Sequence, residues 1–280
     1  MKSDLHTHSI NSDGTSTPEE IIAQAKELGL IVALTDHNTA AGLNDFMRAA
    51  AENGVTAVAG TELSSEYNGI EFHLLGLFID PENYHKVERL AKEFHVLKEI
   101  SNIEMVERLN DAGYDITYAD VKKRNPNGNA NRAHVAAELL EKGYVTSIKE
   151  AFSTILSEDA GFYIQPVRLQ LIDGIHFLRE ISAVPVLAHP LEDTTPEALV
   201  DMLPELIEAG LAGIETMHSA YDDEKIKIAK EIAARFNLLE SGGSDYHGSV
   251  KPDIQLGRGK GSLDIPQSIY DNLLAYKNRL

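Results

Sequence analysis

Short apolar runs that end in histidine, aspartate or glutamate recur along this chain, and that repetition constrains its fold more than any other feature. Leu30-Ile31-Val32-Ala33-Leu34-Thr35 ends in Asp36-His37, and Val55 to Gly60 ends in Thr61-Glu62. Val184-Pro185-Val186-Leu187-Ala188 leads to His189, and Ala212-Gly213-Ile214 leads to Glu215. Asn237-Leu238-Leu239-Glu240 precedes Ser241-Gly242-Gly243-Ser244-Asp245-Tyr246-His247. Runs of this length, rich in branched residues, read as buried strands. Helical stretches separate them. Thr17-Pro18-Glu19-Glu20 has a threonine N-cap, proline at the first helical position and glutamate at the third, and the helix ends near Gly29. A second helix runs from about Ala40 to Glu52 and stops at Asn53-Gly54. Strand alternating with helix predicts a parallel α/β architecture, whose active site lies at the carboxyl ends of the strands. The polar residues fall at those ends.

The stretch from Ser3 to His8 adds the sharpest chemical signal. In an extended strand, side chains alternate faces, so His6 and His8 point the same way and make a ready pair of metal ligands. Asp13-Gly14 follows closely. Ile70 to Ile79 reads as a further strand, with His73 inside it rather than at its end, so a core histidine is the alternative to a ligand there. The chain has no cysteine, which excludes disulfides and thiolate sites and leaves nitrogen and oxygen donors.

With 280 residues, the chain can hold one large or two modest domains. It carries no apolar run of transmembrane length and opens without a signal-peptide pattern, so a cytoplasmic protein with no membrane partner is expected. A formal charge of −19 disfavours binding of long nucleic acid. From Tyr84 to Gln170 the pattern turns helical, with Leu90, Phe94, Leu97, Ile100, Ile103, Val106 and Leu109 at helical spacing. Asn125-Pro126-Asn127-Gly128-Asn129 reads as a loop, and Asn131-Arg132-Ala133-His134 opens the next helix. The expected organisation is a barrel of residues 1–83 and 171–280, with residues 84–170 as a helical insertion.

Taken together, Asp4-Leu5-His6-Thr7-His8, Asp13-Gly14, Thr35-Asp36-His37, Gly60-Thr61-Glu62, His73, Ala188-His189-Pro190 and Gly243-Ser244-Asp245-Tyr246-His247 resemble the motifs of the polymerase and histidinol phosphatase (PHP) family. The resemblance runs from residue 4 to residue 247 and implies a distorted (β/α)7 barrel with a multinuclear metal site. The insertion, with Arg132 and His134, makes the chain look most like the nucleoside 3′,5′-bisphosphate and related nucleotide phosphatases. The resemblance implies three divalent ions, Mn²⁺, Zn²⁺ or Fe²⁺. His6, His8, Glu62 and Asp245 would hold one. Asp13, His37 and His247 would hold a second, and His73 and His189 a third, with Glu62 bridging.

Clustered divalent ions lower the pKa of a shared water from about 16 towards about 7, and the resulting hydroxide attacks phosphorus in line. Arg132 offers a planar donor fork for a phosphate; the alternative is a helix-start residue paired with Glu138. His134 and His218 are candidate hydrogen-bond donors, one of them to the leaving oxygen; His218 otherwise caps the following helix. Asp4 and Asp36 are read as orienting histidines, and Glu215 as orienting or salt-bridging. His85, His95 and His176 are read as structural or exposed. Gly242-Gly243 is expected to permit a tight approach to the metals. The expected activity is phosphate release from small phosphorylated nucleotides, either nucleoside 3′,5′-bisphosphates or monophosphates. A 5′→3′ exonuclease acting on short oligonucleotides uses the same chemistry and stands as the alternative. Histidinol phosphate hydrolysis and a non-catalytic metal-binding module fit less well.

Overall fold

The computed structural model describes residues 1–125 and 130–280. Four residues of the expected loop, Pro126 to Asn129, lie outside the described residues. The chain separates into two compact units, Met1–Arg89 with Leu169–Leu280, and Leu90–Arg168.

The first unit contains a seven-stranded sheet in the order β1-β2-β3-β4-β5-β6-β7. Its strands are β1 (Lys2–Asp4), β2 (Leu30–Leu34), β3 (Ala57–Tyr67), β4 (Ile70–Leu77), β5 (Val184–Leu187), β6 (Gly213–His218) and β7 (Leu239–Gly243). The sheet curls into the expected (β/α)7-type barrel. Its two edges meet where the Leu5 N–H donates to the Gly242 carbonyl at 3.0 Å, and the Asp245 N–H to the His6 carbonyl at 2.9 Å. Leu5, Ile31, Val58, Leu75, Val186 and Ala188 belong to one buried cluster of its core.

One strand departs from the parallel expectation. β4 runs antiparallel to both β3 and β5. The cause is the tight Tyr67-Asn68-Gly69-Ile70 connection, where Asn68 (φ 52°) and Gly69 (φ 80°) both adopt the left-handed conformation that closes a two-residue hairpin. The reversal puts the start of β4, not its end, at the carboxyl ends of the other strands. His73 pairs with Ser64 in register, and its carbonyl accepts from the Ala188 N–H at 2.9 Å, beside His189.

Helices pack outside the strands. α1 (Pro18–Leu28) starts with the expected capping box between Thr17 and Glu20, ends at left-handed Gly29, and buries Ile21, Ile22 and Ala25. α2 (Leu43–Asn53) buries Leu43, Phe46, Ala49 and Ala50. α3 (Tyr84–Asp111) runs from the first unit into the second. The second unit continues with α4 (Tyr118–Lys123), α5 (Arg132–Glu141) and α6 (Ile148–Ser153) around its own apolar core, which includes Met105, Val106, Leu109, Val121, Val135 and Leu139. The first unit resumes with α7 (Leu171–Glu180), α8 (Pro190–Asp193), α9 (Pro196–Ala209), α10 (Asp223–Phe236) and α11 (Gln267–Lys277). Among the described residues, no helix is long and apolar enough to cross a membrane.

Candidate metal centre

His6 and His8 follow β1 in extended backbone, held between two neighbours. The Thr35 N–H donates to the Thr7 carbonyl and the His8 N–H to the Tyr246 carbonyl, both at 2.9 Å. Both rings are fully buried and face the same way, with their Nε2 atoms 3.1 Å apart. Gly243 makes room for this: a Cβ at that position would collide with the backbone of His6, so the tight approach is to the main chain of His6.

Glu62 stands at the centre. Its Oε2 lies 3.2 Å from His6 Nε2, 3.2 Å from His8 Nε2 and 3.0 Å from His37 Nδ1. Its Oε1 lies 3.0 Å from His73 Nδ1 and 3.2 Å from His189 Nε2. A second group forms around Asp13, whose carboxylate lies 3.2 Å from His247 Nε2, 3.7 Å from His8 Nδ1 and 3.8 Å from His37 Nε2. Asp245 Oδ1 lies 3.3 Å from His8 Nε2 and 3.7 Å from His6 Nε2. His6, His8, Asp13, His37, Glu62, His73, His189, Asp245 and His247 therefore come together at one end of the barrel.

The donor set fits divalent cations on two observations. Glu62 Oε2, His37 Nδ1 and His8 Nδ1 are buried without any hydrogen-bond partner, although nitrogen and oxygen atoms crowd around them. Buried lone pairs aimed at one another are costly unless a cation lies between them. Two donors each about 2.1 Å from a shared ion also stand about 3 Å apart, which is the spacing of His6 and His8.

The electrostatics agree. Burial alone would depress the His6 imidazole, but the Glu62 and Glu215 carboxylates hold it well above its ordinary value. Burial alone would raise Glu62, yet His6, His189 and His37 hold it well below the carboxylate range. Against the same burial penalty, Glu62 and Glu71 push His73 up to about 9, and Asp193 and Glu62 push His189 up to about 10. Asp13 and Asp245 are lowered despite burial, by His247 and His37 for the first and by His218 and His8 for the second. Each carboxylate here keeps its charge and demands a positive partner.

Further side chains orient the donors. His6 Nδ1 meets both oxygens of Glu215 at 3.2 Å, so Glu215 accepts the ring proton and leaves Nε2 free for the centre. Glu215 also accepts from the His189 N–H at 2.8 Å, which helps hold His189 at φ 27°. His247 Nδ1 donates to the Asp245 carbonyl at 2.8 Å. Asp193, which sequence reasoning missed, lies 3.3 Å from His189 Nδ1; its signal is the i,i+4 spacing across the Pro190 helix start. Asp4 and Asp36 do not orient imidazoles, contrary to expectation. Asp4 accepts from the Ser244 N–H and hydroxyl at 2.8 and 2.6 Å, and Asp36 from the Ser9 N–H and hydroxyl at 2.7 Å. Short carboxylates just before strand-end loops satisfy nearby backbone and hydroxyl donors first.

His218 ends β6 rather than capping α10, whose N-cap is Asp222. Its Nδ1 accepts from the Ala220 N–H at 3.3 Å, which places the proton of the neutral ring on Nε2. That Nε2 is buried without a hydrogen-bond partner, 3.7 Å from Asp245 Oδ2.

Arg132 and His134 belong to the second unit. The Arg132 guanidinium lies 4.0 Å over the Tyr163 ring and 5.0 Å over Phe152, and donates to the Leu156 carbonyl. Its expected alternative partner, Glu138, is bound by Arg124 at 2.7 Å instead. His134 Nδ1 accepts from the Asn131 N–H at 3.1 Å and closes a capping box. The Tyr67 hydroxyl donates to Glu205, and the Phe162 ring packs edge-on against Tyr114. His85, His95 and His176 are exposed, as read from the sequence.

Imidazoles and carboxylates converging at the mouth of a seven-stranded barrel define a metal-dependent hydrolase. The profile of the PHP domain matches residues 4–160. The chain is 29% identical over 270 residues to a 5′-3′ exoribonuclease of Haemophilus influenzae, covering 96% of each. It is 30% identical over 256 residues to a phosphoribosyl 1,2-cyclic phosphate 1,2-diphosphodiesterase of Eggerthella lenta, covering 89% of this chain and 95% of the relative. It is 29% identical over 284 residues to a 3′,5′-nucleoside bisphosphate phosphatase of Chromobacterium violaceum, covering 97% and 96%. A solved structure from Bifidobacterium adolescentis, described as a candidate metal-dependent phosphoesterase, superposes with a TM-score of 0.68 at 30% identity, covering 98% and 95%. The chain belongs to the PHP family. It is a metal-dependent phosphoesterase.

Proposed function

We propose that this phosphoesterase releases phosphate from small phosphorylated nucleotides, either nucleoside 3′,5′-bisphosphates or nucleoside monophosphates, in the cytoplasm. The observation that carries the reading is Glu62, one buried carboxylate within 3.2 Å of ring nitrogens from His6, His8, His37, His73 and His189. In this reading three divalent ions, Mn²⁺, Zn²⁺ or Fe²⁺, complete the centre. His6, His8, Glu62 and Asp245 hold one, Asp13, His37 and His247 the second, and His73 and His189 with Glu62 the third. Bound there, the ions supply Lewis acidity towards water and offset the charge of the phosphoryl oxygens.

The chain's own residues do the rest. Glu215 fixes the tautomer of His6, so that a lone pair rather than a proton faces the centre, and the Asp193 carboxylate stands 3.3 Å from His189 Nδ1. His218 carries its Nε2 proton in a buried position with no competing acceptor in hydrogen-bond range, and gives it to the leaving oxygen. Arg132, stiffened by the Tyr163 and Phe152 rings, and His134 take the substrate's second phosphate or its sugar, and the helical insertion limits substrate size. The Chromobacterium violaceum relative supports this choice of substrate.

The Haemophilus influenzae relative, matched over as much of both chains, supports the second reading, a 5′→3′ exonuclease on short oligonucleotides. Ion-loaded protein assayed against 3′,5′-bisphosphonucleosides, mononucleotides and end-labelled oligonucleotides separates the two. Phosphate release from the first two supports the leading reading. Stepwise mononucleotide products from the oligonucleotide alone favour the second. Arg132→Ala is expected to cost about 10- to 100-fold in kcat/KM on bisphosphates and much less on monophosphates. Equal losses on both would remove Arg132 from the second phosphate.

A further inference from the structure

We propose that Lys251 is a positioning residue that selects which oxygen of Asp245 faces the metal centre. The proposal rests on the metal-centre reading above and adds a group outside the expected ligand set.

The two oxygens of Asp245 meet different surroundings. Oδ1 points towards His8, His6 and His247, at 3.3, 3.7 and 3.4 Å from their ring nitrogens. Oδ2 accepts a charge-assisted hydrogen bond from Lys251 Nζ at 2.6 Å, and His218 Nε2 stands 3.7 Å off on the same side. A carboxylate turns easily about its terminal torsion, whose preference is broad and two-fold. Asp245 also sits at φ 55°, in the left-handed conformation that aspartate tolerates more readily than most non-glycine residues. An unanchored carboxylate there could offer either oxygen or both. The ammonium of Lys251 occupies one and leaves the other to the imidazoles, which favours ligation through a single oxygen.

The charge balance singles out the same residue. Asp13, Glu62, Glu215 and Asp245 crowd the centre, and among the described residues Lys251 is the one lysine or arginine in ion-pair contact with any of them. Its side chain remains 41% exposed, so the ammonium reaches Asp245 while keeping contact with water, and its replacement does not open the core. The backbone of Lys251 is itself braced, its carbonyl accepting from the Ile254 N–H at 2.9 Å.

The test is Mn²⁺ binding, measured by competition with a chelator, in wild type, Lys251→Ala and Lys251→Arg, with thermal melts as a folding control. Removing a group that orients a ligand costs about 10- to 100-fold in ion affinity. We expect that loss for one ion in Lys251→Ala, recovery to within a few-fold in Lys251→Arg, and an unchanged KM at saturating Mn²⁺. Wild-type affinity for every ion in Lys251→Ala overturns the proposal. So does a raised KM with ion binding intact, which would make Lys251 a substrate contact. A wild-type chain that takes up no ion overturns the metal reading and this proposal with it.

Discussion

In the unit Leu90–Arg168, bases meet acids directly: Lys122 reaches Glu99 at 3.0 Å, Lys123 reaches Asp120 at 2.7 Å, and Arg124 reaches Glu138 at 2.7 Å. At the barrel mouth, Asp13, Glu62 and Glu215 face imidazoles, and among the described residues only Asp245 also has a lysine. Buried polar atoms without partners divide the same way. Among the described residues, His8, His37, Glu62, Asp193 and His218 contribute them at the mouth and Ser3 and Ser241 contribute hydroxyls in β1 and β7, whereas the second unit contributes Arg132 Nε. One region is electrically finished by its own side chains, and the other is finished by something the polypeptide does not encode. The difference separates residues kept for folding from residues kept for chemistry, and it marks Arg132 as the member of the second unit that behaves like the first.

The contrast can be broken most forcefully at Glu62. Glu62→Gln keeps the shape but removes the charge that holds the imidazoles together. It is expected to lower kcat/KM by about 10³-fold or more and to reduce bound ion, measured by kinetics and metal analysis. A variant with full ion content and activity would show that the mouth needs no added charge.

The next effect is on pH. In ion-free protein, His73 and His189 are raised from 6.5 to about 9 and about 10, so both are protonated at neutral pH. Their contribution to stability is full below about pH 6.5 and is lost as pH rises through about 9 to 10. Ions must displace these protons, so apparent affinity should rise about tenfold per pH unit for each proton displaced. Melting curves of chelated and ion-loaded protein across this range should therefore diverge as pH rises. Parallel curves would sink the idea.

The smallest effect belongs to the second unit. Arg124→Ala leaves the nearly buried Glu138 without its partner and should cost about 1–3 kcal/mol of stability, with ion binding unchanged. A drop in ion affinity would show that the electrical separation of the two regions is false.

Much of the barrel was legible because its strands are short, apolar and punctuated by histidine and acidic residues. His6 and His8 showed themselves through period-two alternation. His73 was harder to place. It looked misplaced inside its strand because sequence periodicity carries no strand direction, and only the β3–β4 hairpin brings it to the mouth. Asp193 and Lys251 were not found, since Asp193 reaches His189 across one helical turn and Lys251 reaches Asp245 through a loop, and neither lies in the strand pattern. Asp4 and Asp36 were misread for the complementary reason: serine hydroxyls nearby in the fold satisfied them before any histidine could. Glu215 was recognised as a helper, but only contact with His6 gave it a task.

The reversed strand has one more consequence. Leu77, at the end of β4, and Val184, at the start of β5, are register partners, so the chain leaves and rejoins the sheet at the same point. Everything between them is an excursion with no net displacement. Neighbours linked through a helix on a parallel sheet must cross its full height, which fixes a minimum path, whereas this pair imposes none. The β4–β5 connection, like the β3–β4 hairpin at the other end of β4, is thus an address at which a segment can be spliced without parting register partners of the sheet, and the residues of the second unit are inserted there in the chain.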